Sequence, residues 1–134
     1  MADFQNLNVW QKAHALSLAT FTACEDISGP IGVLLRNQLV RSVMSIQSNI
    51  AEGSAKQSDR EFARYVRIAM GSATETENHL LLAGDYGMIE TPTADALKKE
   101  VKDVRKMLTG LVKTLVADAS SASRERRPPR RNSR

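Results

Sequence analysis

Gln38-Leu-Val-Arg-Ser-Val-Met-Ser-Ile-Gln-Ser-Asn-Ile-Ala-Glu-Gly53 is the stretch that decides the fold of this 134-residue chain. Its large apolar residues recur at steps of four, three and four, which is the spacing that lines one face of an α-helix. These residues are Leu39, Val43, Ile46 and Ile50. We expect Gly53 to end the helix, because glycine readily adopts the left-handed backbone conformation that closes helices.

A second helix is predicted to begin shortly after this glycine. Ser58 and Glu61 stand three residues apart, as in a capping box, where each side chain bonds the backbone N–H of the other residue. Helix, short loop and renewed helix together predict a helical hairpin. The remaining apolar periodicity and the breaks at Gly29-Pro30 and Pro92 predict four helices in all. Their expected ranges are Asn6 to Ile27, Ile31 or Gly32 to Glu52, Asp59 to Tyr86, and Thr91 to residue 118, with Asn6 and Thr91 as N-caps.

The predicted fold class is therefore all-α, an up-down-up-down antiparallel four-helix bundle over residues 1–118. Residues 119–134 change in character, because they are rich in Ser, Ala, Arg and Pro, and Pro128-Pro129 cannot continue a helix. The net charge of the whole chain is +4, but residues 124–134 alone hold six arginines and one glutamate, a net charge of +5. We expect residues 119–134 to form a disordered, Arg-rich tail.

Composition limits the class of protein. The single cysteine, Cys24, cannot form a disulfide within the chain and fits a reducing compartment. No signal-peptide pattern is visible at the N-terminus, and no apolar run approaches 18 residues. We therefore expect a cytoplasmic protein that does not span a membrane.

Patterns for catalysis and metal binding are weak. Glu75 and His79 share a helix face, but a di-iron bundle needs carboxylates on all four helices and Glu-x-x-His pairs, and no such pair occurs. Serine-nucleophile and phosphate-loop motifs are also missing from the sequence. We therefore expect no enzymatic activity, no metal and no cofactor. Glu75 and His79 are interpreted as part of a solvated face, and Cys24 as a small buried apolar residue.

Two sets of basic residues are the candidates for a binding site. The first follows one face near the start of the third helix and comprises Lys56, Arg60, Arg64 and Arg67. The second lies in the tail and comprises Arg124, Arg126, Arg127, Arg130, Arg131 and Arg134. Arginine-rich segments bind the phosphates of RNA or DNA through charge, largely without sequence preference. The alternatives are a solvated helix face with intrahelical ion pairs and a tail that only improves solubility. The lysines of the fourth helix alternate with acids and are interpreted as an ordinary exposed face.

The sequence also resembles a known family, the 23S rRNA-intervening-sequence proteins, over about residues 4–116. The residues that carry the resemblance are Ser45, Ile46, Asn49, Ile50, Ala51, Glu52, Gly53, Ser58, Glu61, Phe62, Ile68, Ala69, Gly71 and Ser72, and, upstream, Leu7, Val9, Trp10, Gln11, Lys12 and Ala13. Gln47 stands where the family often has proline. The resemblance implies a four-helix bundle without a well-defined biochemical activity.

The same resemblance implies an assembly and partners. Members of the family resemble a set of pentameric proteins in which five bundles, one from each subunit, surround an axis. A branch similar in fold, the accessory variability determinant, partners the reverse transcriptase of diversity-generating retroelements and binds nucleic acid. We therefore expect a non-catalytic homo-oligomer, a pentamer by this resemblance, that binds RNA or DNA and has a reverse transcriptase as a candidate partner. The alternative is a structural or scaffolding oligomer with no nucleic-acid role.

Apolar residues beyond the predicted core stripes favour an oligomer independently of the family. They lie on the second and fourth helices and are Val33, Leu34, Val40, Met44, Met107 and Val112. Some of them would widen the core, and we expect several to be buried against neighbouring subunits.

Overall fold

The computed structural model describes residues 3–126 and contains four α-helices in this range. They are α1 (Asn8–Cys24), α2 (Pro30–Ser54), α3 (Asp59–Asp85) and α4 (Thr91–Glu125), and a 3₁₀ turn over Phe4–Asn6 precedes α1. Short connections make successive helices antiparallel. Both α1 and α3 contact α2 and α4, and the packing of α3 is the more extensive. The predicted all-α, up-down-up-down antiparallel bundle is confirmed.

The core is built from one apolar stripe on each helix. Leu39, Val43, Ile46 and Ile50 of α2 are completely buried, as predicted from their spacing. The α4 stripe includes Leu97, Val101, Val104, Leu108 and Leu115, all buried. On α3 the buried residues include Ala63, Ala69, Ala73 and Ala83, whose small side chains allow the neighbouring helices to pack closely. On α1, Cys24 is buried at 2% exposure, as predicted for a small apolar residue.

Gly53 has a different role from the one predicted. It lies inside α2, and the glycines with positive φ among residues 3–126 are Gly29 and Gly87. A Cβ atom added at Gly53 would lie 2.7 Å from Tyr65 Cβ and 2.7 Å from Phe62 Cδ2. Glycine is therefore needed there because α3 packs directly against the backbone of α2, and not because the helix ends.

Two of the three predicted N-caps are shifted. Ser58 is the N-cap of α3, as predicted, and its Oγ accepts a hydrogen bond of 3.1 Å from the Glu61 N–H. The first helix begins after Leu7 instead of at Asn6, because Asp3 caps a separate 3₁₀ turn that Asn6 ends. The fourth helix already includes Thr91, so its N-cap is Glu90.

The end of α4 is the largest departure from the prediction. The helix continues to Glu125, whereas the sequence predicts disorder from residue 119. Residues 119–123 are two alanines and three serines, and the chain has no proline between this run and Pro128. Alanine has the highest helix propensity, so the segment extends a helix that is already formed. Arg124 is therefore helical, Arg126 is the C-cap, and Arg127, Arg130, Arg131 and Arg134 lie outside the described residues.

Candidate nucleic-acid interface

A groove between the start of α3 and the end of α4 brings basic residues of both helices together. The two helices are antiparallel neighbours, so the first turns of α3 lie beside the last turns of α4. The groove has a volume of about 520 Å³. Arg60 and Arg67 line it from α3, and Arg124 lines it from α4.

Hydroxyl and apolar groups complete this groove, which we call the terminal groove. Ser120 and Ser123 line it and can donate hydrogen bonds to an anion. Ala63, Val116 and Ala119 supply its apolar surface. Arginine with a neighbouring hydroxyl is a combination suited to phosphate oxygens, because the guanidinium offers a planar pair of N–H donors.

A second, smaller cleft adjoins the terminal groove at the tip of the bundle. It has a volume of about 330 Å³ and shares Arg60 and Ser123 with the larger groove. Arg126 lines it, as does one acidic residue, Asp59. Four of the ten predicted binding residues, Arg60, Arg67, Arg124 and Arg126, therefore lie around two adjoining openings.

These four arginines are not neutralised by nearby carboxylates. Within residues 3–126, none of them forms an ion pair at 4.0 Å or less, whereas six such pairs form elsewhere in this range. An anion that enters the terminal groove would displace water and counterions, and would not have to break an existing ion pair.

Lys56 and Arg64 are held apart from this groove, so the predicted single stripe of four residues is divided. Lys56 Nζ lies 5.1 Å from the centre of the Tyr65 ring, and Arg64 Cζ lies 4.6 Å from it. Arg64 also pairs with Glu61 at 3.5 Å. Lys56 precedes α3, so helical spacing does not apply to it. Cation–π contacts of this kind make both residues part of the structure around Tyr65.

The sequence did not predict that Arg124 and Arg126 lie beside the arginines of α3. The reason is the predicted disorder from residue 119, which removed these residues from any fixed position. The signal that was available is the run from Ala119 to Ser123, which contains neither glycine nor proline.

A polar cluster between α2 and α3 was also missed, and it corrects the interpretation of His79. Ser42 is buried at 3% exposure, and its Oγ donates to the Leu39 carbonyl at 3.0 Å. His79 Nδ1 lies 3.3 Å from the same Oγ, and Thr76 Oγ1, which donates to the Ser72 carbonyl, lies 3.0 Å from it. The half-buried His79 therefore contacts α2 and helps to join it to α3, and is not part of a fully solvated face.

Three other features concern a reactive thiol, a metal site and a membrane span. Burial raises the pKa of the Cys24 thiol, and the nearby Arg36 charge opposes this increase in part. Across residues 3–126, histidine, cysteine and acidic side chains do not form a group of three that could hold a metal ion. No helix in the described part of the chain has an apolar stretch long enough to cross a bilayer.

Comparisons with known proteins agree with the fold. No curated protein matches the chain. A solved structure of a protein with unknown function from the S23 ribosomal protein family of Bacteroides thetaiotaomicron is similar in fold, with a TM-score of 0.71 and 24% sequence identity. The similarity covers 78% of this chain and 98% of that chain. A family model described as 23S rRNA-intervening sequence protein matches residues 5–110, a range that ends before the arginines of the last turns of α4. The chain therefore belongs to the family of 23S rRNA-intervening sequence proteins.

Proposed function

We propose that this protein binds the phosphate backbone of RNA or DNA through the terminal groove and has no catalytic role. The observation that carries the proposal is the convergence of Arg60, Arg67 and Arg124 in this groove, with Arg126 at the adjoining cleft, all without ion-pair partners among residues 3–126. The described lining of the groove contains no aromatic side chain, so base stacking does not contribute. Binding would then depend on charge, would weaken steeply with salt, and would show little preference for base sequence.

Equilibrium binding of a labelled single-stranded oligonucleotide across a salt series tests this proposal. The variant Arg60→Gln/Arg67→Gln removes both α3 arginines from the groove. Arg41→Gln is the matched control, because Arg41 is exposed on α2 and lines a separate cleft between α2 and α3. We expect the wild-type protein to bind at about 50 mM salt and to lose affinity steeply toward about 200 mM.

The double variant has a defined expected signature. Each lost phosphate contact lowers the slope of log affinity against log salt by about 0.7 for a single strand. The two substitutions should therefore reduce the slope by about 1.4 and the affinity at low salt by roughly tenfold. An equal loss per charge removed in Arg41→Gln would show that only overall charge matters. The absence of wild-type binding at the lowest salt would refute the proposal.

We further propose that the protein acts as a homo-oligomer that assembles through its α1–α2 side. Leu18 is 52% exposed, Leu34 62% and Met44 46%. Ser17 contacts Gln47 at 3.0 Å across α1 and α2, so Leu18 and Met44 lie at nearly the same level of the bundle. The α1–α2 side is opposite the α3–α4 side, and assembly there would leave the terminal groove open.

Five of the six residues expected at subunit contacts divide into two groups, and the sixth, Val40, is half-buried. Val33, Leu34 and Met44 are exposed and available for such contacts. Met107 and Val112 pack against the subunit's own core. The pentameric state and the reverse-transcriptase partner stay predictions of the family resemblance. The number of subunits is measured by light scattering coupled to size exclusion.

The light-scattering experiment tests assembly, and together with the binding series it separates the two candidate functions. We expect a multiple of 14.8 kDa for the wild type and a smaller mass for Met44→Glu. Ile68→Glu, at a 43% exposed position on α3, is the control and should keep the wild-type mass. A monomeric wild type would refute assembly. An oligomer that binds no nucleic acid would instead favour the structural or scaffolding alternative.

A further inference from the structure

Two further openings follow the terminal groove along the α3–α4 side of the bundle. We call the three openings together the α3–α4 furrow. A second opening of about 360 Å³ is lined by Met70 of α3 and by Lys102, Arg105, Lys106 and Thr109 of α4. A third opening of about 590 Å³ shares Lys102 and Arg105 with it and extends to Leu81 and Lys98. The openings therefore follow one another toward the opposite end of the bundle.

The residue spacing shows that these openings lie on one face. Seven of the eight α3 lining residues follow alternating steps of three and four, with Asn78 beside them: Arg60, Ala63, Arg67, Met70, Thr74, Glu77 and Leu81. Such spacing follows one straight stripe of an α-helix. The stripe from Arg60 to Leu81 is about 30 Å long at 1.5 Å per residue.

Positive charge is in excess along the whole furrow. Its basic lining residues are Arg60, Arg67, Lys98, Lys102, Arg105, Lys106 and Arg124. Their combined lining contains one acidic residue, Glu77, which lies in the third opening. Glu77 contacts Arg105 at 2.6 Å and Lys102 at 3.7 Å, so one carboxylate is shared between two cations. Lys102 and Lys106 are exposed, as expected for the α4 lysines, and they also line the openings beside α3.

We infer that the α3–α4 furrow is a track for one extended strand of nucleic acid, which enters at the terminal groove and runs toward Lys98. This inference rests on the proposed function of the terminal groove and extends it along the bundle. Packed helices lie about 8–10 Å apart, so the furrow between them is too narrow for a duplex to enter. A single strand can lie along it with its phosphates facing the lysines and arginines on both walls.

The length of the furrow sets the number of nucleotides. At roughly 6 Å per extended nucleotide, a track of about 30 Å holds about five nucleotides, within the range of known single-strand sites. Glu77 limits the affinity because it occupies Arg105 and Lys102. Replacing it by glutamine would release both cations while keeping a polar side chain of the same size.

The test is the dependence of affinity on oligonucleotide length. Labelled oligothymidylates of roughly three, six and ten nucleotides are titrated with the full chain, and oligouridylates provide the RNA arm. The variant Lys102→Gln/Lys106→Gln removes two charges from the middle of the furrow. Lys99→Gln is the matched control, because Lys99 is exposed on α4 and does not line the three openings.

We expect wild-type affinity to rise up to about six nucleotides and to change little beyond that length. The double variant should bind the longer strands about tenfold more weakly and the shortest within about twofold, while Lys99→Gln stays close to wild type. Glu77→Gln should strengthen binding of the longer strands about threefold. A blunt duplex of about ten base pairs should compete poorly.

Failure of the track and failure of the terminal groove give different results. Affinity that does not depend on length, with Arg60→Gln/Arg67→Gln still impaired, would overturn the track and leave the terminal groove in place. Stronger binding of the duplex than of the single strand would also overturn the track. No binding of any oligonucleotide at the lowest salt would overturn both.

Discussion

Gly53→Ala is the substitution that most directly tests the packing of α2 against α3. Gly53 lies in the last turns of α2, buried beneath Phe62 and Tyr65 of α3. Helix propensity alone favours alanine over glycine by about 1 kcal/mol in a helix interior, and by less near a helix end. A prediction from propensity would therefore be a more stable protein.

The contacts at Gly53 reverse this expectation. The new methyl group would lie 2.7 Å from Tyr65 Cβ, an atom fixed to the α3 backbone, and 2.7 Å from Phe62 Cδ2. Phe62 can rotate in part, but Tyr65 Cβ can move only with its helix. Overpacking of this kind costs about 1–3 kcal/mol, and the rigid contact places the cost near the upper limit. After the gain in propensity, we expect the free energy of unfolding to decrease by about 2 kcal/mol.

The control is Gly71→Ala, at an exposed mid-helix position of α3 where an added Cβ meets no atom within 4 Å. This variant should gain about 0.5–1 kcal/mol, so the two alanine substitutions should change stability in opposite directions. Urea unfolding followed by circular dichroism at one protein concentration measures both, since an oligomer's stability depends on concentration. A Gly53→Ala variant as stable as Gly71→Ala would refute the packing argument.

Three further predictions concern single side chains. Ser58→Ala removes the cap of α3 and should lower the unfolding free energy by about 1 kcal/mol in urea unfolding, whereas Ser58→Asp should retain most of it. Thr76→Val removes the buried hydroxyl that bonds Ser42 and should lower the unfolding free energy by about 1 kcal/mol. Thr76→Ser keeps the hydroxyl and should retain most of the hydrogen-bond contribution. Burial raises the pKa of Cys24, so the native thiol keeps a proton that the unfolded chain loses. Unfolding free energy should therefore decrease as pH rises above about 8.5, and Cys24→Ala should weaken this dependence in urea titrations at several pH values.

Local features of the sequence predict the fold well because they act within one helix. The apolar spacing of α2 and the serine cap of α3 depend on neighbours only a few residues away, and both are confirmed. The role of Gly53 could not be predicted in this way, because Phe62 and Tyr65 come close to it only after the helices pack. The prediction of where α4 ends was wrong for another reason. The composition of residues 119–134 is typical of disorder, and it was given more weight than the high helix propensity of the alanines in this segment.

The candidate site is less predictable than the fold. The sequence identifies Arg60, Arg67 and Arg124 as basic, but their common groove depends on the register between α3 and α4. That register also brings Lys102 to the furrow. No pattern within one helix carries this information, because it requires knowing which residues of an antiparallel neighbour lie opposite.

The limited packing of α1 has a consequence for the motions of the bundle. α1 is the shortest of the four helices, with 17 residues, and it contacts its neighbours less extensively than α3 does. Regions with fewer buried contacts open at a lower free energy than the whole molecule, so backbone amides of α1 should exchange with deuterium before those of α3. Such an opening would detach one wall of the α1–α2 side and leave the α3–α4 furrow intact. Subunit contacts on α1–α2 would close this route, and association would then be visible as slower exchange in α1.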